Sequence, residues 1–390
     1  MAAQPASFSL FTSLRHDPAL RSSPENSSDV VSFSSSTPFY MLRYHRDRML
    51  EASQHFEWAE VAKKLADGKE LESLLNQEVE SWRSKNGDTE SPLKVNPSSQ
   101  TEPNSNNTHP QVRVLFNRSG DMQTDMATTP AIPLSSLYPT SFTPPPPPPS
   151  KPFTPSPRTG GALVLGPGDA ANTSSSSPSW TLTVDTAPTP TSPHTLLKTT
   201  HRAHYDAARA RSVPATAPAA TGTLHEVLLW NSVGEMTEGS FTSAYFYRGG
   251  RWVTPPVGVP NNVSSPSSSP SGEEEEDVGR VEGDEEQGTI TTSSDHHHHH
   301  HHHSSKLGDE GELREPFAGR WGHSIRSPKA VAGAGGQRGT TRRWALKKGL
   351  CMEEPVARET VAVGEWVWVS NGVRGFGLGR VVEAKKGKEG

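Results

Sequence analysis

Hydrophobic positions in this chain fall into short blocks of differing period, set between long stretches with no period. Residues 8–15 (FSLFTSLR) are rich in apolar side chains and predict an opening strand. Leu42, His45, Met49, Ala52 and Phe56 recur every three or four residues, which puts them on one face of a helix over 40–56. Val61, Leu65, Leu71, Leu75, Val79 and Trp82 continue that spacing and predict a second helix. Residues 112–116 predict a strand ending at a turn over 117–120. Further on, 180–184 predicts a strand and the alanine-rich 198–211 a short helix after a loop. Residues 225–230, 240–247 and 251–253 then predict three strands whose intervening turns, at 231–234 and 248–250, have the spacing of a meander. A helix over 341–350 and a strand over 366–370 complete the pattern.

Four stretches show no periodicity: 21–36, 91–109, 130–179 and 260–315. The last three are dominated by Ser, Pro, Asn, Thr and charge, and all four are expected to be disordered. They bury too little apolar surface to offset the entropy of ordering. Six consecutive prolines at 144–149 favour polyproline II, which makes a stiff linker and is also the shape that SH3-like and WW-like domains bind. The fourth stretch holds an acidic run at 273–277 and eight histidines at 296–303. Exposed histidines bind divalent metals, but this tract lacks the fixed geometry and outer shell of an enzymatic metal site, so no metal centre is expected. Setting the four aside leaves about 250 residues, a suitable length for a two-domain enzyme. The expected plan is a small α+β domain over 1–129, a Pro/Ser-rich linker over 130–179 and a larger domain over 180–390. Long insertions are tolerated because each doubling of a loop costs only about 0.6 kcal/mol.

Composition agrees with this picture. Only 31% of the 390 residues are hydrophobic, with 35 Pro and 33 Gly, as a globular protein interrupted by solvated insertions would have. The net charge of -5 provides no basic field, so nucleic acid is not an expected partner. A single cysteine, Cys351, excludes an intramolecular disulfide and fits a reducing compartment. No stretch is long and apolar enough to span a membrane, and residues 1–14 lack a basic segment followed by an apolar one. A soluble, cytoplasmic protein is the expectation.

Candidate chemistry lies in the periodic blocks. The stretch LHEVLLWNSVGEMTEGS (224–240), lying ahead of a hairpin and the proline turn RGGRWVTPP, contains Glu238. Lys198 is the second residue of LKTTHRAHYDAAR (197–209). A lysine whose pKa is lowered by its surroundings bonds to carbonyl carbons and shuttles protons. In RGTTR (338–342), Gly339, Thr340 and Thr341 start a helix, where free N–H groups, the helix dipole and two hydroxyls favour an anion. Arg48 lies in HRDRM (45–49), and Asn371 and Arg374 in WVSNGVRGF (368–376).

In this order, these motifs resemble the class IV aminotransferases, a two-domain pyridoxal-phosphate fold of α+β type similar to D-amino-acid aminotransferase. The resemblance covers the periodic two-thirds of the chain. It implies pyridoxal 5'-phosphate as cofactor, with Lys198 as the cofactor-bonding lysine and Glu238 as the carboxylate on the pyridine nitrogen. It also implies Arg48 and the Gly339, Thr340, Thr341 cup as phosphate ligands, with Asn371 and Arg374 beside the substrate. Two departures stand out: Gly372 replaces the usual serine, and Thr12 and Ser13 stand where many relatives carry Glu-Thr. The connection between the proline turn and the cup, very short in relatives, here runs from 256 to 333 and must loop outward.

The Lys198 segment, similar to KTTxRxxY, and the FxLFTSLR opening look most like 4-amino-4-deoxychorismate lyase, which forms 4-aminobenzoate and pyruvate for folate synthesis. The same residues serve a branched-chain or D-amino-acid aminotransferase, and a catalytically degenerate scaffold is a third reading. A homodimer and a small-molecule substrate are implied by the resemblance alone.

Overall fold

The computed structural model describes residues 8–86, 108–145, 179–214, 223–257 and 335–385. Two sheets organise them. The first has the order β1-β2-β3, with β1 (Leu10–Arg15), β2 (Thr108–Phe116) and β3 (Met122–Pro130) all antiparallel. Helix α1 (Leu42–His55) lays the expected face of Leu42, Met49 and Ala52 on this sheet. Leu10, Leu14, Val112, Val114 and Phe116 meet it from below.

The predicted second helix is two helices, α2 (Ala59–Lys64) and α3 (Gly68–Asn86). Asp67 breaks the run: its Oδ1 accepts from the N–H groups of Lys69 (2.8 Å) and Glu70, as an N-capping carboxylate does. Val61, Leu65, Leu71, Leu75 and Val79 remain buried in the same core, so the apolar spacing passes through the break unchanged.

The expected disorder over 21–36 is corrected. This segment is packed around Asn26, which is fully buried. Asn26 donates to Thr37 O (3.0 Å), and its Oδ1 accepts from Tyr138 Oη (2.6 Å) and from the Met41 N–H (3.3 Å). Val31 joins the core, and the Phe33 ring lies where a Cβ on Gly68 would fall. Hydrogen bonds to a buried amide order this stretch where apolar period is missing.

The expected linker over 130–179 is corrected at its start. Residues 130–145 include α4 (Leu134–Leu137), and Leu137, Tyr138 and Phe142 are buried with Tyr40, Tyr44, Tyr245 and Trp344 in an aromatic core between the sheets. Residues 91–107, most of the proline tract and all of 260–315 lie outside the described residues.

The second sheet contains β4 (Trp180–Val184), β5 (Leu224–Trp230), β6 (Met236–Gly239), β7 (Ser243–Arg248), β8 (Arg251–Thr254), β9 (Met352–Glu353), β10 (Trp366–Asn371) and β11 (Gly375–Val381). Its order is β6-β5-β4-β11-β10-β7-β8-β9, so the expected meander is also corrected: β5 and β7 are separated by β4, β11 and β10. In a flat sheet β6 and β7 would lie five strand spacings apart, about 24 Å. Gly239 and Ser243 are four chain steps apart and span at most roughly 15 Å. The sheet therefore curls, and the corner at 240–242 closes the curl through Gly239 N–H to Thr242 O (2.7 Å) and Ser240 N–H to Val227 O (2.9 Å). Short helices α5 (Pro193–Leu196) and α6 (Ala203–Arg211) follow β4, and α7 (Thr340–Lys347) precedes β9. No helix among the described residues is long and apolar enough to cross a membrane.

Candidate active site

A cavity of about 600 Å3 opens between the two sheets, and Arg48, Lys198, Glu238, Gly339, Thr340, Thr341, Asn371 and Arg374 all line it. Five separate chain segments thus bring every expected site residue to one place.

Lys198 sits in the loop between α5 and α6, ahead of the helix in which the sequence pattern placed it. Backbone pairing to β1 fixes this loop: Phe11 N–H donates to Lys198 O (3.1 Å) and Thr200 N–H to Ser9 O (2.9 Å). The Lys198 ammonium lies 5.0 Å from the centroid of the Phe11 ring. Burial, then the charges of Arg48 and Arg202, push its pKa well below the ordinary lysine value.

Glu238 ends β6. Its Oε1 accepts from Tyr205 Oη (2.6 Å) and its Oε2 from the Gln337 N–H (3.1 Å), while Gln337 Nε2 donates to the Tyr205 oxygen (2.9 Å). Burial raises the carboxyl pKa, and these donors together with Lys198 and Arg202 oppose the rise. Tyr205, itself pushed well above the usual phenol range by burial and Glu238, remains a donor. The following corner needs glycine, since a Cβ on Gly239 would fall 2.3 Å from Thr242 Oγ1. Buried Glu226 braces it, accepting from Ser240 Oγ (2.6 Å) and the Phe241 N–H (2.9 Å).

At the cup, Gly339 caps α7 and no side chain occupies the cap, which leaves the first-turn N–H groups for an anion. A Cβ at Gly339 would strike Ser243 Oγ at 2.2 Å. Thr341 Oγ1 accepts from Ser370 Oγ (2.8 Å), which in turn contacts Tyr245 Oη (2.8 Å). Arg48 reaches in from α1 and donates to Thr12 Oγ1 (2.7 Å); burial lowers its pKa to about 10, so it stays cationic at neutral pH.

The residues fit a phosphorylated cofactor. The buried Arg48 Nε and Thr242 Oγ1 lack hydrogen-bond partners among the described residues, and both residues line the cavity. Asn371 is partly committed elsewhere, because its Oδ1 accepts from the Val373 and Arg374 N–H groups (3.0 and 2.8 Å) in the turn between β10 and β11.

Four contributors had no role assigned from sequence. Tyr205 and Arg202 are the Tyr and Arg of the KTTxRxxY pattern, so their spacing from Lys198 was the available signal. Arg113 is an inward position of β2, its guanidinium 4.7 Å from the Phe11 centroid. Gln337 acts through both its backbone N–H and its side-chain amide, and it lies outside every motif that the sequence marks.

A family model described as amino-transferase class IV matches residues 29–259. No curated protein matches the chain. Among solved structures, the chain is similar to 4-amino-4-deoxychorismate lyase from Pseudomonas aeruginosa (11% identity, 99% of this chain and 92% of that chain covered, TM-score 0.40). It is also similar to the branched-chain amino acid aminotransferase from Escherichia coli (11%, 98% and 79%, 0.42). A third is a hypothetical aminotransferase from Mycobacterium tuberculosis in its alpha-ketoglutarate and PMP bound form (10%, 100% and 89%, 0.41).

Proposed function

The chain belongs to the class IV aminotransferase family, whose cofactor is pyridoxal phosphate, and on that premise we propose that it is a lyase converting 4-amino-4-deoxychorismate to 4-aminobenzoate and pyruvate. The observation that carries the reading is the pairing of β1 with the Lys198 loop. These are the two segments most like the lyase branch, and they join edge to edge at the cavity. A second feature supports a substrate with two carboxylates: Arg113, Arg202 and Arg374 add positive charge to the cavity beyond Arg48, while Glu238 is the one acid among its described lining residues.

Bound here, the cofactor supplies an electron sink beside the substrate's amine-bearing ring carbon. Arg48, the cup N–H groups and the hydroxyls of Thr340 and Thr341 hold its phosphate. Glu238, aimed by Tyr205 and Gln337, keeps a proton on the pyridine nitrogen. Lys198, whose pKa burial and its cationic neighbours push well down, takes the proton from ring C4 as general base in its free-amine form. The ring C–O bond to the enolpyruvyl group then breaks and the ring becomes aromatic. Enolpyruvate leaves and becomes pyruvate by taking a proton at its methylene carbon, which balances the one Lys198 removed from C4. Arg113, Arg202 and Arg374 hold the carboxylates so that the C4 proton faces the lysine. In this reading the two sheets are the cores of two domains, the active unit is a homodimer, and the protein works in the cytoplasm.

The test is to purify the protein with pyridoxal phosphate, supply 4-amino-4-deoxychorismate and follow 4-aminobenzoate by chromatography beside a Lys198→Ala control. Lys198-dependent product is expected. Turnover of an amino acid with 2-oxoglutarate, and no 4-aminobenzoate, would overturn the lyase in favour of an aminotransferase.

A further inference from the structure

His45 lies on the buried face of α1, 1% exposed, and touches β1 on one side and the cup on the other. Its Nδ1 is 2.6 Å from Thr12 Oγ1 on β1, and its Nε2 is 3.4 Å from Thr340 Oγ1 in the cup. Thr12 Oγ1 also receives the Arg48 guanidinium at 2.7 Å. A guanidinium can only donate, and among the described residues His45 Nδ1 is the one acceptor within reach of the Thr12 hydroxyl proton, which sets the direction at Thr12. Arg48 donates to the Thr12 oxygen, the Thr12 hydroxyl donates to Nδ1, and Nε2–H points to the Thr340 oxygen. The Thr340 proton is then left for an anion in the cavity. This relay requires a neutral imidazole protonated at Nε2, and burial together with Arg48 and Lys198 holds the ring far below the ordinary histidine pKa.

An independent feature makes room for the ring. A Cβ at Gly372, in the turn between β10 and β11, would fall 2.4 Å from His45 Cε1, 2.6 Å from Nε2 and 3.0 Å from Ser13 O. The turn cannot back away, since Gly372 O accepts from the Arg15 N–H at 2.9 Å. Any side chain there would displace the imidazole.

We propose that His45 is a positioning residue for the phosphate cup, aligning Arg48 and the Thr340 hydroxyl from the two sides, and that residue 372 is glycine to admit its ring. The proposal rests on the reading that the cup takes the cofactor phosphate.

The experiment titrates the full-length apo protein with pyridoxal phosphate and with pyridoxal, which lacks the phosphate, following the Lys198-dependent absorbance band and the melting temperature. His45→Ala is expected to weaken pyridoxal phosphate binding about tenfold, the scale of one or two lost hydrogen bonds, and to leave pyridoxal binding unchanged. Gly372→Ala is expected to do the same, and the double variant to be no worse than either single one, because the methyl group occupies the vacated space. Unchanged pyridoxal phosphate affinity in His45→Ala, equal weakening toward pyridoxal, or losses that multiply in the double variant would each overturn the proposal. Absence of a Lys198-dependent band in the wild-type protein would instead strike the cofactor reading itself, and this inference with it.

Discussion

The phenolic hydroxyl of Tyr205 donates to Glu238 Oε1 at 2.6 Å, in a site where burial works against the charged carboxylate. Tyr205→Phe removes that donor and strands the Gln337 amide, so the carboxyl pKa rises further and less of it is ionised. Turnover should fall about tenfold, roughly 1.4 kcal/mol in the barrier, with cofactor still bound. A steady-state kcat equal to wild type would remove Tyr205 from the site.

Glu238→Gln keeps the shape and loses the charge that holds a proton on the pyridine nitrogen. The expected loss in kcat is about a hundredfold or more, with cofactor retained at stoichiometric ratio by absorbance. Glu238→Asp, which keeps the charge on a shorter stem, should lie between the two.

Lys198 captures the cofactor only as the free amine, and its pKa is lowered by burial, Arg48 and Arg202. The capture rate of apo protein, plotted against pH, should therefore break below the ordinary lysine value of about 10.4. Arg202→Met removes a neighbouring positive charge, makes the ammonium easier to keep and should move the break upward. A downward shift in that variant would contradict the electrostatic account.

Two ion pairs tie α1 to the cup: Asp47 to Arg343 at 2.9 Å and Glu51 to Arg338 at 3.1 Å. Both carboxylates are nearly buried, and Asp47 also pairs with Arg46 at 2.9 Å, so removing Asp47 leaves two guanidinium groups with little water to replace it. Asp47→Ala should cost about 2 kcal/mol in chemical denaturation, less than a fully buried pair because the Arg343 guanidinium also rests 4.1 Å from the Tyr44 ring centroid.

Phe142 stacks on Trp368 at 5.0 Å between centroids and meets Tyr245 edge-on at 5.1 Å. Phe142→Ala should destabilise by about 3 kcal/mol, a cost that a linker position would not show. Urea denaturation of the two proteins decides between them.

What could be read from sequence was what period and chemistry mark. The apolar face of α1 and the strands β1, β4 and β5 follow from spacing. Lys198, Glu238, Arg48 and the cup stand out because the motifs around them occur in the order of the class IV aminotransferases, since a lysine or glutamate alone reads as a surface group. β3 carries little mark in sequence because MQTDMATTP alternates exposed and half-buried side chains and its one buried residue is the polar Thr129. The 21–36 segment was misjudged because its order comes from the Asn26 hydrogen bonds, and polar residues that are satisfied internally look the same in sequence as polar residues that are solvated. His45 counted as an apolar-face residue, since nothing in the spacing tells a packing ring from one that orients hydroxyls.

The place of β11 in the curled sheet bears on how the molecule is assembled. It lies between β4 and β10, its register joining Gly379 to Trp180 and Val381 to Leu182, positions that are distant along the chain. Such non-local pairing makes for slow folding, since the entropy of closing a long loop is lost before any strand contact compensates. On a ribosome, β4, β5 and β6 emerge with an open edge that stays unpaired until residues 366–381 have been made. Until then the backbone edge of β4 that pairs with β11 is open to other strands, which raises the risk of aggregation during that interval.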